Sequence, residues 1–450
     1  MNIAIIGAGW AGLSCAVRAV QSGHHVTLFE AARQPGGRAR AVVLPLPEGQ
    51  PDSQPLTLDN GQHILIAAYT DTLRLMRLVG INPDTVLRTQ ALALTFPDGT
   101  GLQLPDWPGR FDALAVLVGI ATAKGWTWRD KFSLLRTAVA WQRGGFTCPA
   151  QHTVAQLCAT VTPAVRDGFI EPLCVSALNT PASRASGQVF LRVLQDSMFG
   201  VSGGSKLLLP RVDLGQLFPE PALQWLISRG CDVHLGERIS SLRSEGTGWQ
   251  VEGQPFDHVI LATSSTESAR VLAASALTAT ETIANQLHDW AAIATTLRFE
   301  AITTVYAHSP QGLPKPMLAL HASAEQPAQF VFDKAQLSSK STCTTSLLAF
   351  VVSASVGDKA TVQAQVVAQA KAQLGLTITP LQTIVEKRAT FACIPGMQRP
   401  AQHIAAGLSA CGDYVEGPYP ATLEGAVRSG WAAGALVTPN ARTAQPNQTP

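Results

Sequence analysis

The sequence predicts an α/β protein: a doubly wound, parallel-sheet domain of Rossmann type joined to a second domain of mixed helix and β-sheet. Two observations predict it. The first forty residues read strand, glycine turn, helix, strand, and the middle of the chain reads as a helical stretch followed by a β-rich one. With 450 residues, the chain is long enough for such a two-lobed unit.

The opening unit is built as follows. Asn2–Ile6 is a short apolar run rich in β-branched residues that ends at Gly7. Leu13–Gln21 has helical apolar spacing and stops at Gly23, and His25–Phe29 is a second strand ending in Glu30. Between strand and helix stands Gly7-Ala8-Gly9-Trp10-Ala11-Gly12, a G-x-G-x-x-G turn. In this setting Gly7 allows the tight turn, Gly9 lets backbone approach a pyrophosphate, and Gly12 lets helix and strand pack closely. The helix N-terminus offers free N–H groups to the phosphates. Glu30 stands where a carboxylate accepts both ribose hydroxyls and repels a 2′-phosphate. The unit therefore predicts dinucleotide binding.

Composition narrows the function classes. Charged residues make up 14% of the chain, against about 25% in ordinary soluble proteins, and the net charge is only +2. Without a Lys/Arg block, nucleic acid is not an expected partner. The longest apolar run, Ala113–Ala123, is too short for a bilayer that needs about 20 residues. The N-terminus lacks the basic start and cleavage site of a signal peptide, and the eight cysteines form no C-x-x-C pair. A cytoplasmic location and no metal site are expected.

Farther along, Leu44–Pro55 is a proline-rich connector, and a helix is expected over about Tyr69–Val79. Residues 109–145 are predominantly helical, and one helix is expected to contain Leu217–Ser228. Cys231–Leu235, Trp249–Glu252 and His258–Thr263 read as strands, and 290–390 as β-rich with a helix near Thr361–Leu374. Near the end, Leu408–Ala410 leads into Cys411-Gly412-Asp413, which resembles the flavoprotein turn whose carboxylate reaches a ribityl hydroxyl or a phosphate-side water. The helix beginning near Thr422 and Leu423 resembles the one that, in those proteins, aims its positive end at the edge of the flavin. The polar tail 438–450 is expected to be disordered.

Gly36-Gly37-Arg38, placed after Glu30, resembles the extended fingerprint of glutathione-reductase-like flavoproteins, in which this segment wraps the FAD pyrophosphate. Arg38 suits a bridging phosphate or the flavin edge. His258–Thr263 is similar to the second strand of their FAD domain, and Ile239 to the position whose backbone meets the adenine. The resemblance implies a discontinuous FAD domain (1–85, 203–270 and 395–437) and a substrate domain (86–202 and 271–394), a layout shared with amine oxidases and carotenoid desaturases.

Closer still, DNGQHILIAAYTDTLRLMRLVG (59–80), EPLCVSALNTP (171–181), KRATF (387–391) and GDY…PATLEGAVRSG resemble the hydroxysqualene dehydroxylases, also described as squalene-associated FAD-dependent desaturases of hopanoid biosynthesis. The resemblance implies noncovalent FAD, reduction by NADPH or another external donor, a hydroxysqualene-like lipid substrate, and pathway enzymes that supply it. The implied reaction replaces an allylic hydroxyl by hydrogen. Two alternatives stand beside it: a carotenoid-type polyprenyl desaturase or isomerase, and a flavin-free prenyl-binding protein like the Rab GDP-dissociation inhibitors. The intact glycine set speaks against the last.

Thr422 stands where amine oxidases usually place an aromatic wall of their cage. Gly61 and Gln62 belong to a segment that runs under the isoalloxazine in the superfamily, flanked by Asp59 and His63. His63 is either the proton donor or a histidine bonded to flavin or backbone, and Asp59 either shares the chemistry or caps the turn. Glu171 and Asn179 either face substrate or bond locally; Glu424 reads as a helix cap. The bases Lys124, Arg129, Lys131, Arg136 and Arg143, interleaved with Trp126, Trp128 and Trp141, are either a solvated helical face or a docking surface at the inner membrane.

Overall fold

The structure is a computed structural model and describes residues 1–44, 56–107, 112–246, 248–338 and 346–437. The connector expected over Leu44–Pro55 lies outside them from residue 45 onward, as does the tail from 438.

In chain order, β1 (Asn2–Ile6), α1 (Trp10–Gln21) and β2 (His25–Glu30) form the opening unit. Next come α2 (Thr70–Leu78), then α3 (Asp112–Thr122), α4 (Trp128–Arg143) and α5 (Glu171–Leu178), and strands β3 (Asp232–Leu235) and β4 (His258–Leu261). Five antiparallel strands follow: β5 (Phe299–Ser309), β6 (Met317–Ala319), β7 (Phe330–Asp333), β8 (Ser346–Ser353) and β9 (Thr379–Phe391). The chain then returns through β10 (His403–Ala405), β11 (Leu408–Ala410) and α6 (Leu423–Leu436).

The main sheet has the order β3-β2-β1-β4-β11-β10 and is parallel except at β10, so strands four hundred residues apart share one layer. Its central strands are buried on both faces, as continuous apolar runs such as Ile3-Ala4-Ile5-Ile6 require. The second sheet, β6-β7-β8-β5-β9, is antiparallel.

Two sequence expectations are corrected here. The helix expected through Leu217–Ser228 is two helices, Leu214–Leu217 and Pro219–Ile227. Pro219 has no N–H to continue the first, and Phe218 before it leaves the helical conformation at φ −157°. The β-rich region begins later than residue 290, because helix Glu281–Thr296 occupies its start.

Helix α6 crosses α1 at backbone contact distance. A Cβ on Gly430 would lie 2.0 Å from the carbonyl oxygen of Ala11, and one on Gly434 would lie 2.6 Å from that of Cys15. The Ser14 hydroxyl donates to the Val427 carbonyl across the same seam (2.8 Å). At its own N-terminus α6 supplies a cap to another helix. Tyr69 at the N-cap of α2 offers no side-chain acceptor, and the buried Glu424 carboxylate accepts the N–H groups of Asp71 (3.1 Å) and Thr72 (3.0 Å).

Replacing Gly430 by Ala should therefore force the two helices apart and cost about 1–3 kcal/mol, as overpacking does, read as a lower thermal midpoint and reduced flavin content. A second expectation concerns pH. His258 on β4 shares a 2.5 Å hydrogen bond with Ser409 on β11, and burial, aided by His403, pushes its pKa down to about 4. A histidine whose folded pKa is depressed stabilises the fold above its unfolded value and loses that contribution as pH falls from about 6.5 toward 4. His258→Gln should flatten this part of the urea-midpoint profile, and an unchanged profile would remove His258 as its source.

Candidate functional site: a dinucleotide cradle opening onto an apolar wall

The loop after β1 folds onto the loop after β2. Gly7, at φ +112°, donates its N–H to Phe29, and the Gly36 N–H donates to Ala8, setting Gly9 beside Gly36. A Cβ on Gly12 would lie 1.8 Å from the Gly7 oxygen, so Gly12 sits behind the cradle and closes α1 onto the strand. Gly9 differs: a Cβ there would meet only Gly37 Cα, at 3.9 Å. Its free side faces the cavity, and a side chain would fill the space that a pyrophosphate needs. Glu30 accepts the N–H groups of Ala8 (2.7 Å) and Ala32 (2.8 Å), which fixes its carboxylate at the cavity edge where ribose hydroxyls are expected.

The cavity holds about 540 Å³. Of the residues read from the sequence as cofactor-binding, Gly7, Gly9, Glu30, Gly37, Arg38, Gly61, Gln62, Ile239, Gly412, Asp413, Thr422 and Leu423 line it. Gly12 stays behind the wall. Arg38 and Asp413 meet each other: Nη2 donates to Oδ1 at 2.6 Å, while Nη1 donates to the Ala389 carbonyl (2.9 Å). The ion pair clamps the first loop to the last, where the sequence reading had given each residue a separate contact. Thr422 caps α6, its hydroxyl accepting the Gly425 N–H (3.0 Å). These donors, the open glycine face and the helix N-terminus suit an FAD. Neither Cys393 nor Cys411 lines the cavity.

The Asp59–His63 segment separates into two roles. Asp59 is buried and does not reach the wall. Its carboxylate accepts the Leu214 N–H (2.8 Å) and the Lys334 ammonium (3.1 Å), and its carbonyl accepts the Tyr306 hydroxyl (3.0 Å). His63 does line the cavity. Its Nδ1 lies 2.8 Å from the Gly61 carbonyl, which can only accept, so in the neutral ring Nδ1 carries the proton. Burial holds the pKa of His63 below the ordinary value, with Asp59 pulling upward and Arg38 and Lys334 downward. Nε2 has no protein hydrogen bond among the described residues.

The polar residues at the two ends of α5 bond locally. Glu171 accepts the Ala182 N–H. Asn179, left-handed at φ +45°, donates to Thr390 (3.0 Å) and accepts from Ala354 N (2.7 Å). Glu424 caps α2, as described above.

Beyond the cradle the wall turns apolar, with Val175, Leu178, Ile302, Phe330, Phe332 and Val351. Phe330 pairs with Val351 and Val351 with Thr304 across three strands, so this is one face of the second sheet. Thr304 is buried in that row with its hydroxyl unpartnered. Sequence reasoning held Val175, Leu178 and Thr390 only within its family-like runs, without a role, and did not place Ile302, Phe330, Phe332, Val351, Lys334 or Glu386. The signal was present: Phe330-Val331-Phe332 alternates with period two, and both phenylalanines face the cavity.

Comparison with known proteins identifies the family and the fold. The hydroxysqualene dehydroxylase of Rhodopseudomonas palustris is 25% identical over 97% of this chain and 98% of its own length. The namesake of Zymomonas mobilis is 26% identical over 54% of this chain and 55% of its own. The hydroxyneurosporene desaturase of Rhodobacter capsulatus is 32% identical over 37% of this chain and 34% of its own. Among solved structures, an oxidoreductase from Methanosarcina mazei superposes with TM-score 0.69 at 15% identity, covering 96% of this chain and 99% of its own. Reduced UDP-galactopyranose mutase superposes with TM-score 0.67 at 15% identity, covering 97% and 93%. At these identities the structures share the fold. Residues 10–438 match the family described as flavin containing amine oxidoreductase, so the chain belongs to that family and is an FAD-dependent oxidoreductase.

Proposed function

We propose that this enzyme reduces hydroxysqualene to squalene, in the branch of isoprenoid metabolism that leads to hopanoids, downstream of the enzyme that forms hydroxysqualene. The carrying observation is the apolar wall that continues from the FAD cradle, with His63 Nε2 unpartnered among the residues between them. The names of the Rhodopseudomonas and Zymomonas relatives support the substrate.

Bound FAD, once reduced by NADPH or another external donor, supplies the hydride. The residues of the chain do the rest. The clamp of Arg38 and Asp413 and the cap at Thr422 would hold the cofactor. Protonated His63 donates from Nε2 to the departing hydroxyl, which leaves as water when the allylic C–O bond breaks. Asp59 is a positioning residue: it ties Lys334 and the 59–63 segment to the sheet. The rings of Phe330 and Phe332 favour the developing allylic cation, and the apolar wall excludes the water that would trap it.

A carotenoid-type desaturase is the second reading, favoured by the Rhodobacter relative. The same wall accepts a polyene, and the direction of electron flow separates the two. An anaerobic single turnover decides it. Protein with chemically reduced flavin, mixed with hydroxysqualene in detergent, should reoxidise and yield squalene in proportion to flavin. If the flavin stays reduced and no squalene forms, the substrate assignment falls, and oxidised enzyme with squalene and longer polyenes tests the desaturase.

The acid has its own test. Because burial lowers the His63 pKa, the protonated fraction is small near neutrality and grows as pH falls, so single-turnover rates should rise toward acid. His63→Gln should flatten that profile and slow turnover by about 10²-fold while keeping its flavin. A variant with the original profile would assign the proton to another group.

A further inference from the structure

Helices α3 and α4 form a hairpin whose outer face has no partner among the described residues. Four large apolar side chains stand exposed on it: Trp128 (67%), Phe132 (63%), Leu114 (48%) and Leu117 (46%). On α4 the buried positions are Asp130, Leu134, Thr137 and Trp141, one helical stripe. The opposite stripe carries Trp128, Phe132, Leu135 and Val139, with Arg136 and Arg143 among them, and a shallow groove runs along it. The hairpin is held rigidly. Thr127 and Asp130 form a reciprocal cap at the start of α4, and Lys131 donates to the Ala121 carbonyl of α3 (2.6 Å).

The charges on this hairpin are mostly basic. Lys124, Arg129, Lys131, Arg136 and Arg143 face two acids, Asp112 and Asp130, and Asp130 is engaged in the cap. No carboxylate pairs with Arg129, Arg136 or Arg143 among the described residues, and Lys131 lies 5.0 Å over the Trp128 ring. Unpaired guanidinium groups alternating with exposed indole and phenyl rings match a lipid–water interface with negative headgroups. There the rings enter the acyl boundary and the bases stay at the phosphates. The hairpin is also connected to the cavity: Trp126 packs edge-on against Phe169 at 6.2 Å, and that segment continues into α5, whose Val175 and Leu178 line the apolar wall.

We propose that the outer face of the α3–α4 hairpin docks this protein onto an anionic bilayer surface. The surface stands independently of the reaction, because vesicle binding needs no substrate. The test is flotation of the flavin-loaded full chain with vesicles of phosphatidylcholine alone or with a quarter phosphatidylglycerol. Wild-type protein should float with the anionic vesicles at least about tenfold better than with the neutral ones, less so as salt is raised. Trp128→Ser/Phe132→Ser and Arg129→Glu/Arg136→Glu/Arg143→Glu should each lose binding about tenfold. Both should retain flavin absorbance and thermal midpoint. Leu277→Ser, which removes an exposed apolar side chain elsewhere (85%), should bind as wild type. Equal flotation with both vesicle types overturns the proposal, as does undiminished binding by folded variants of either kind or loss of binding by Leu277→Ser.

Discussion

Because Gly430 and Gly434 carry no side chain, α6 rests against α1 with backbone touching backbone. That contact sets the distance between the two ends of the chain, and the cofactor cradle depends on it. The loop before α6 contains Gly412 and Asp413, and the loop before α1 contains Gly7 and Gly9. Once the helices meet at the glycine seam, Asp413 lies within reach of Arg38, and the N-terminus of α6 opens on the same cavity as that of α1. Two helix N-termini then face one space, which concentrates partial positive charge where an anionic cofactor belongs.

With only 14% charged residues, the chain uses buried and half-buried carboxylates to hold loops. Glu30 fixes the first glycine turn, Asp59 ties the 59–63 segment to Leu214 and Lys334, and Glu424 caps α2. Burial raises the pKa of Glu424, which makes its three donors from Asp71 and Thr72 a requirement: a buried carboxylate without them would carry its full desolvation penalty. The cost is local and the benefit is positional, because each carboxylate joins segments distant in sequence.

Distance in sequence also explains what could be read in advance. The opening βαβ unit was legible because strand, turn, helix and acid lie within thirty residues, and each glycine there has a steric reason of its own. Helix α2 was legible as a helical stretch over about Tyr69–Val79, and α6 as the helix that begins near Thr422. The Arg38–Asp413 pair spans 375 positions and the contact of Glu424 with Thr72 spans 352, so no local pattern reports either. Glu424 looked like a cap for its own helix and serves another. Asp59 and His63, four positions apart, looked equivalent, yet one side chain is buried behind the wall and the other lies on it. What distinguishes them comes from far along the chain: Leu214, Tyr306 on β5, and Lys334, which directly follows β7.

The second sheet therefore does more than enclose a ligand. Strand β9 reaches the cradle at Ala389, whose carbonyl accepts from Arg38, and at Glu386, whose carboxylate accepts from Asn60 (3.0 Å). Opposite Glu300 and Ile302 of its neighbour β5 the pairing shifts, with the extra residues on β9, and Ile302 lines the wall. The same strands thus meet the Asn60 and Arg38 loop and present the apolar row of Ile302, Val351 and Phe330 to the same cavity. Glu386 stands directly opposite Ile302, so a polar edge and an apolar wall are brought together on one face of one pleated surface. His63 lies where the two meet, and its environment is set from both sides: by the Gly61 carbonyl of its own turn, and by Lys334 and Asp59 behind the wall.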